Sequence, residues 1–121
     1  MNYSDNFSGA LDKAAGLAAR TGGLICTEHL LYGLAAQTGC NAQRVLESFR
    51  VSADAVLQLF SLREAVGRVS MSTRANRAIT NATALARQTG AQQANTEHLL
   101  FALLYLSLIH ISEPTRLALI S

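Results

Sequence analysis

The chain contains no tryptophan, one proline, two cysteines and one lysine among its ten basic residues. Each scarcity excludes something. The only proline is Pro114, so the first 113 residues are free of the strongest helix breaker. Aromatics make up 6% of the chain while half of it is hydrophobic, with alanine and leucine dominant, a mixture that favours packed helices over sheets. Cys26 and Cys40 form no C-x-x-C pair, and no Cys/His cluster has zinc spacing, which leaves two free thiols, no metal site and no cofactor. A formal charge of +2 does not call for a nucleic-acid partner. MNYSDN has neither a basic nor an apolar signal region, and the most apolar run, Leu99 to Ile111, falls short of the roughly 20 residues of a membrane span. These features predict one soluble, cytoplasmic protein domain without a membrane partner.

Against this background one pentapeptide, TEHLL, occurs twice, at Thr27–Leu31 and at Thr96–Leu100. The residues upstream repeat as well. Phe7, Ala10, Leu11, Ala14, Leu17 and Ala18 recur at a constant offset as Ala75, Ala78, Ile79, Ala82, Leu85 and Ala86, both sets spaced like one face of a helix. Ser4 and Ser72 match as N-caps, and Thr21-Gly22 matches Thr89-Gly90 where a helix ends. The second loop before TEHLL carries one extra residue. This is an internal duplication.

The first unit reads as four helices: Asp5 to Arg20; Glu28 to Gln37 behind a Thr27 cap; a third capped by Asn41 and running to Phe49; and a fourth opened by Ser52, turning Val56, Leu59, Phe60 and Leu62 inward. The second unit repeats helix one as Thr73 to Thr89 and helix two from Glu97. After Leu104 the repeat fails, for the counterpart of helix three carries Pro114 at mid-helix and lacks the Gly39 stop and the Asn41 cap. The expected architecture is therefore all-α, a tandem pseudo-repeat of four-helix units with the second incomplete. Residues 1–66 form the first repeat, 67–71 a linker and 72–104 the partial second repeat. Residues 105–121 read as a non-native tail, similar to adapter read-through.

A pair of four-helix units, each with an LAR-x-x-G-like helix end followed by a Thr-Glu-His-hydrophobic-Leu helix, resembles the N-terminal domain of Clp-family AAA+ unfoldases of the ClpC and ClpA type. The resemblance covers Tyr3 to about Leu104. Cys26 and Asn95 stand where the family usually has glycine. The resemblance implies a docking module that receives adaptor proteins and protein substrates for ATPase rings, joined in cis in the parent protein and feeding a peptidase. This chain has no G-x-x-x-x-G-K-S/T motif and no recognisable catalytic triad, so it is expected not to be an enzyme itself. The alternative is a stand-alone interaction scaffold of the same fold.

In the simplest reading of Thr-Glu-His, Thr27 and Thr96 cap helices, Glu28 and Glu97 face the positive end of the helix dipole, and His29 and His98 pack in the core. A helix N-terminus also suits phosphate, and a carboxylate beside it suits a guanidinium. In ClpC-type domains of Gram-positive bacteria the glutamates of the two motifs recognise phosphoarginine. Carried over by position, these are Glu28 and Glu97, supported by Thr27 and Thr96. The other feature is basic: Arg63, Arg68, Arg74, Arg77 and Arg87 lie in a stretch whose only acid is Glu64. The first four are candidates for docking an acidic adaptor. Without interleaved aromatics they do not make a nucleic-acid surface.

Overall fold

The structure, a computed structural model, describes residues 2–62 and 64–112, the last six of them by backbone alone. Six helices are present among these residues: α1 (Asp5–Ala19), α2 (Thr27–Ala36), α3 (Asn41–Ser48), α4 (Ala53–Leu57), α5 (Thr73–Gln88) and α6 (Thr96–Ser112). Four strands of two residues each accompany them: β1 (Asn2–Tyr3), β2 (Leu24–Ile25), β3 (Ser70–Met71) and β4 (Gln93–Ala94). The fold is predominantly helical as expected. The strands are an addition, since two residues are too few to print an alternation in the sequence.

The long helices begin and end where their chemistry dictates. Ser4 and Ser72 accept hydrogen bonds from the backbone N–H of Phe7 and Ala75, at 3.1 and 3.0 Å, as N-caps of α1 and α5. At the far ends Gly23 and Ala91 each donate to a carbonyl five residues back, at 2.8 Å. Gly22, Gly23 and Gly90 take the positive φ that this reversal requires. Three caps differ from expectation. Cys26, not Thr27, is the N-cap of α2, Asn95, not Thr96, precedes the first turn of α6, and Cys40, not Asn41, caps α3. The Cys40 sulfur accepts from Gln43 N–H at 3.4 Å and donates to the Gln37 carbonyl at 3.2 Å, doing with sulfur what serine ordinarily does.

α1 packs along α2, and α5 along α6, each pair meeting through small side chains. Ala10, Ala14 and Ala18 of α1 and Ala75, Ala78, Ala82 and Ala86 of α5 are buried in one continuous core with Phe7, Leu30, Leu34 and Leu99. The α1–α2 crossing is so close that a Cβ on Gly33 would collide with the Ala10 carbonyl. Leu11 and Leu85, on the same helical stripes, are only partly buried.

The strands lock the repeats together reciprocally. β1, which precedes α1, pairs in parallel with β4, which precedes α6. β3, which precedes α5, pairs in parallel with β2, which precedes α2. Each unit thus lends the segment before its first helix to the loop before the other unit's TEHLL helix. Ser4 N–H donates to Ala94 O and Ser72 N–H to Ile25 O, both at 2.9 Å, extending each pair by one bond. The two TEHLL helices are thereby brought together, and α2 touches α6 directly.

The fourth helix departs most from the sequence reading. α4 is five residues long, and although Val56 is buried and Phe60 partly so, Leu59 and Leu62 face solvent at 70% and 49% exposure. A helix of barely more than one turn has one inward face, and Val56 occupies it. At the other end of the chain, α6 continues past Leu104 to Ser112, so His110, the counterpart of Asn41, lies within a helix and opens none. Residues 113–121 of the expected tail, Pro114 included, lie outside the described residues.

Candidate functional site

The site grows from the two Thr-Glu-His helix starts. At the first, the Cys26 N–H donates to His29 Nδ1 at 2.8 Å; at the second, the Asn95 N–H donates to His98 Nδ1 at 2.9 Å. The histidine third in the helix therefore reaches back to the cap residue, the part glutamate or glutamine plays in a capping box. His29 and His98 are 4% and 8% exposed. Because Nδ1 accepts, the proton of His29 sits on Nε2, 2.7 Å from Thr21 Oγ1, which in turn is within reach of the Leu17 and Ala18 carbonyls. Phe60 lies over the imidazole with ring centroids 4.6 Å apart. Burial lowers the His29 pKa from its ordinary value, opposed by the Glu28 charge. The neutral ring is a structural fastener that ties the end of α1 to the start of α2.

With the histidines turned inward in both copies, the threonines and glutamates beside them have different surroundings. At the second motif Thr96 is 2% exposed, and its Oγ1 lies 3.5 Å from the Ala42 N–H in the first turn of α3. Glu97 Oε2 accepts from Asn41 Nδ2 at 2.6 Å, while Asn41 Oδ1 faces Arg44 at 3.4 Å. Ser4–Asn6, Gly39–Asn41 and Asn95–Glu97 enclose a polar cleft of about 270 Å³. The starts of α1, α3 and α6 converge on it, each presenting first-turn N–H groups that have no partner within their own helix.

At the first motif Thr27 is half-buried and Glu28 exposed, and Thr27 Oγ1 donates to Glu28 Oε1 at 2.9 Å. Burial pushes the Cys26 thiol up, and the Glu28 charge adds to this, against a lowering contribution from Ser72. The thiol is thus kept protonated beside the motif. Thr27, Glu28 and Arg74 line a largely apolar trough of about 510 Å³ together with Val51 and leucines of α2, α3 and α6. Threonine and glutamate of each motif therefore do open onto a cavity, one polar and one largely apolar.

The expected basic surface is only partly assembled. Arg74 joins the Glu28 cavity, and Arg77, one turn along α5, and Arg68, just before β3, are exposed. Arg63 lies outside the described residues. Asn41 is the site residue that sequence reasoning missed in this role. It was read as a cap, and nothing local announces a contact with a residue 56 positions away. Among the described residues no cluster of His, Cys, Asp or Glu is able to hold a metal ion, and no helix is long and apolar enough to cross a membrane.

Two helical units exchanging short strands, with a duplicated helix start at each junction, define an all-α repeat domain with a polar cleft and an apolar trough at the two helix starts. Residues 2–104 match the Clp repeat (R) N-terminal domain family, and the chain belongs to that family. No curated protein sequence matches the chain. Among solved structures, it is similar to one from preliminary structural investigations of a malarial protein secretion system, with a TM-score of 0.69 and 18% identity over 85% of this chain and 76% of that one. It is also similar to the N-terminal domain of the caseinolytic-protease-associated chaperone ClpD from Arabidopsis thaliana, with a TM-score of 0.58 and 17% identity over 84% of this chain and 76% of that one. At these identities the likeness is one of fold. It agrees with the family match on the fold of a Clp repeat N-terminal domain.

Proposed function

We propose that this domain recruits protein substrates and adaptors to a Clp unfoldase of the ClpC or ClpA type in the cytoplasm, and that its two Thr-Glu-His helix starts receive phosphoarginine side chains on tagged proteins. The observation that carries this reading is the polar cleft at Glu97. There the starts of three helices converge on two carboxylates, Asp5 and Glu97. A phosphate is favoured by first-turn N–H groups and the positive ends of helix dipoles. A guanidinium is favoured by the carboxylate of Glu97, by paired charge-assisted hydrogen bonds. Phosphoarginine joins both groups in one side chain, whereas free phosphate or free arginine satisfies half of the site.

The Glu28 site offers the same carboxylate and helix start, and Arg74 also lines it. Arg68, Arg74 and Arg77, exposed on α5 or just before β3, are the residues we assign to docking an acidic adaptor. The ATPase rings that would use a captured substrate belong to a parent protein.

Titration calorimetry of the chain with phosphoarginine, arginine and phosphate separately tests the reading. Phosphoarginine is expected to bind at two sites, Glu28→Ala and Glu97→Ala to remove one each, and the double variant to remove both. Absence of binding heat from a domain shown to be folded by circular dichroism would refute it.

A further inference from the structure

Behind the polar cleft, α1 and α2 are joined by a row of side chains that ends in the cleft wall. Asn6, Gly9 and Lys13 are spaced along one stripe of α1. The side chain of Gln37, the C-cap residue of α2, lies across all three. Lys13 Nζ donates to Gln37 Oε1 at 2.6 Å, and Gln37 Nε2 donates to Asn6 Oδ1 at 2.9 Å. The direction of this row is fixed at its outer end. An ammonium group has donors only, so Gln37 must turn its oxygen to Lys13 and its nitrogen to Asn6, and Asn6 must then present its own oxygen. The glycine between them leaves the room. A Cβ on Gly9 would come within 2.6 Å of Gln37 Oε1 and 2.9 Å of its Nε2.

Asn6 is half-buried and lines the cleft, as Asn41 does. Asn41 is set by the same logic, its oxygen facing Arg44 Nη1 at 3.4 Å and its nitrogen donating to Glu97 Oε2 at 2.6 Å. The two asparagines differ in one respect. The Asn41 NH2 is engaged by Glu97, whereas the Asn6 NH2 has no partner among the described residues. The cleft needs such a donor, because Asp5 and Glu97 both line it and their charges oppose the phosphoryl half of a ligand.

We infer that Asn6 is a specificity-determining residue of the Glu97 cleft, donating from Nδ2 to a phosphoryl oxygen, and that Gln37 is the positioning residue that keeps this donor turned into the cleft. The inference rests on the reading of the cleft as a phosphoarginine site, and adds to it a group that separates phosphoarginine from arginine. A free asparagine amide can reverse its ends and present either a donor or an acceptor; one held by Gln37 and Lys13 presents the donor. Gln37 also ties down the facing wall, since its carbonyl accepts from the Cys40 thiol at 3.2 Å, next to Asn41. The side chain and the backbone of one residue thus hold both walls that the first repeat contributes.

Calorimetric titration of the full chain in a Glu28→Ala background, which leaves the Glu97 cleft to be read alone, is the test, with phosphoarginine and arginine as probes. Asn6→Asp keeps the oxygen that Gln37 holds and replaces only the other end of the amide, exchanging a donor for a charged acceptor. It should weaken phosphoarginine binding about tenfold or more and leave arginine binding equal or tighter. Gly9→Ala, outside the cleft, should displace the Gln37 amide and weaken phosphoarginine binding roughly threefold, with no fall in melting temperature because alanine is the better helix former. Unchanged phosphoarginine affinity in Asn6→Asp, or an equal loss for the two probes, overturns the role of Asn6. Unchanged affinity in Gly9→Ala overturns that of Gln37. In both cases the Glu28→Ala parent still binds phosphoarginine, and the reading of the cleft stands; a folded parent that binds none overturns that reading and the Asn6 contact together. Asn6→Ala, which removes the donor without adding a charge, replaces Asn6→Asp should the latter fail to fold, and parental phosphoarginine affinity in it overturns the proposal equally.

Discussion

Replacing His29 by alanine separates the fastener role of the histidine from any role in binding. Three contributions disappear together. The Cys26 N–H loses its 2.8 Å acceptor, a loss of the kind that costs about 1 kcal/mol at a helix cap. The 2.7 Å bond between Nε2 and Thr21 is lost, at about 1 kcal/mol net. The ring leaves a space beneath Phe60, adding about 1–2 kcal/mol. The total is about 3–4 kcal/mol, a large share of the ~5–15 kcal/mol typical of a domain and roughly 10–20 °C in melting temperature. His29→Gln restores an acceptor for the cap N–H and should recover about 1 kcal/mol. The pair also predicts a pH dependence. Burial holds the folded-state pKa of His29 below its ordinary 6.5, so the unfolded chain takes up a proton first as pH falls. The His29 contribution is complete above about pH 6.5 and is lost as pH drops towards the folded-state pKa. Thermal melts of wild type and His29→Gln between about pH 7.5 and about 5.5 isolate this term, because glutamine does not titrate. Equal melting temperatures for wild type and His29→Ala, or a gap between wild type and His29→Gln that does not narrow on acidification, would refute the assignment.

Three further outcomes are expected. Gly33→Ala should destabilise the fold by about 1–3 kcal/mol, since its Cβ meets the Ala10 carbonyl backbone; denaturant unfolding within error of wild type would show that α1 and α2 separate freely. Asn41→Ala should leave the fold intact and, by releasing Glu97 Oε2, raise phosphoarginine affinity severalfold in a Glu28→Ala background. Weakened binding in that calorimetric titration would instead make Asn41 part of the site. Deleting residues from Ser107 onward should leave phosphoarginine binding unchanged, and a tenfold loss, about 1.4 kcal/mol, would make the tail a functional element.

Much of this fold was legible because it is written twice. The alanine stripes, the Ser4 and Ser72 caps and the glycine stops each occur in both copies, and a pattern that recurs at one offset is far less ambiguous than a single periodic run. What was illegible falls into two physical kinds. Local misreadings came from residues acting outside their usual chemistry. Sulfur caps α3, histidine supplies the capping-box acceptor, and α4 is too short for Leu59 and Leu62 to share the face of Val56. Long-range features left no local trace at all. The strand exchange and the Asn41–Glu97 bond join segments distant in sequence, and two-residue strands have no period to detect.

The duplication also bears on how a motif should be read. Identical Thr-Glu-His sequences build identical helix starts, with the histidine turned inward both times by the same bond to the cap residue. The sequence therefore specifies the part of the motif that is shared, which is its structural part. The outward half is specified elsewhere. Glu97 faces a polar cleft because the start of α3 comes down beside it, and Glu28 faces an apolar trough because no equivalent helix lies there among the described residues. A carboxylate beside converging helix starts and one beside a leucine-walled trough differ in dielectric, in neighbours and in what can approach them. The two sites should therefore differ in affinity even where their three defining residues do not. The neighbour that sets the difference, Asn41, belongs to the opposite repeat from the glutamate it holds. Each repeat supplies the motif, and the other repeat determines what that motif meets.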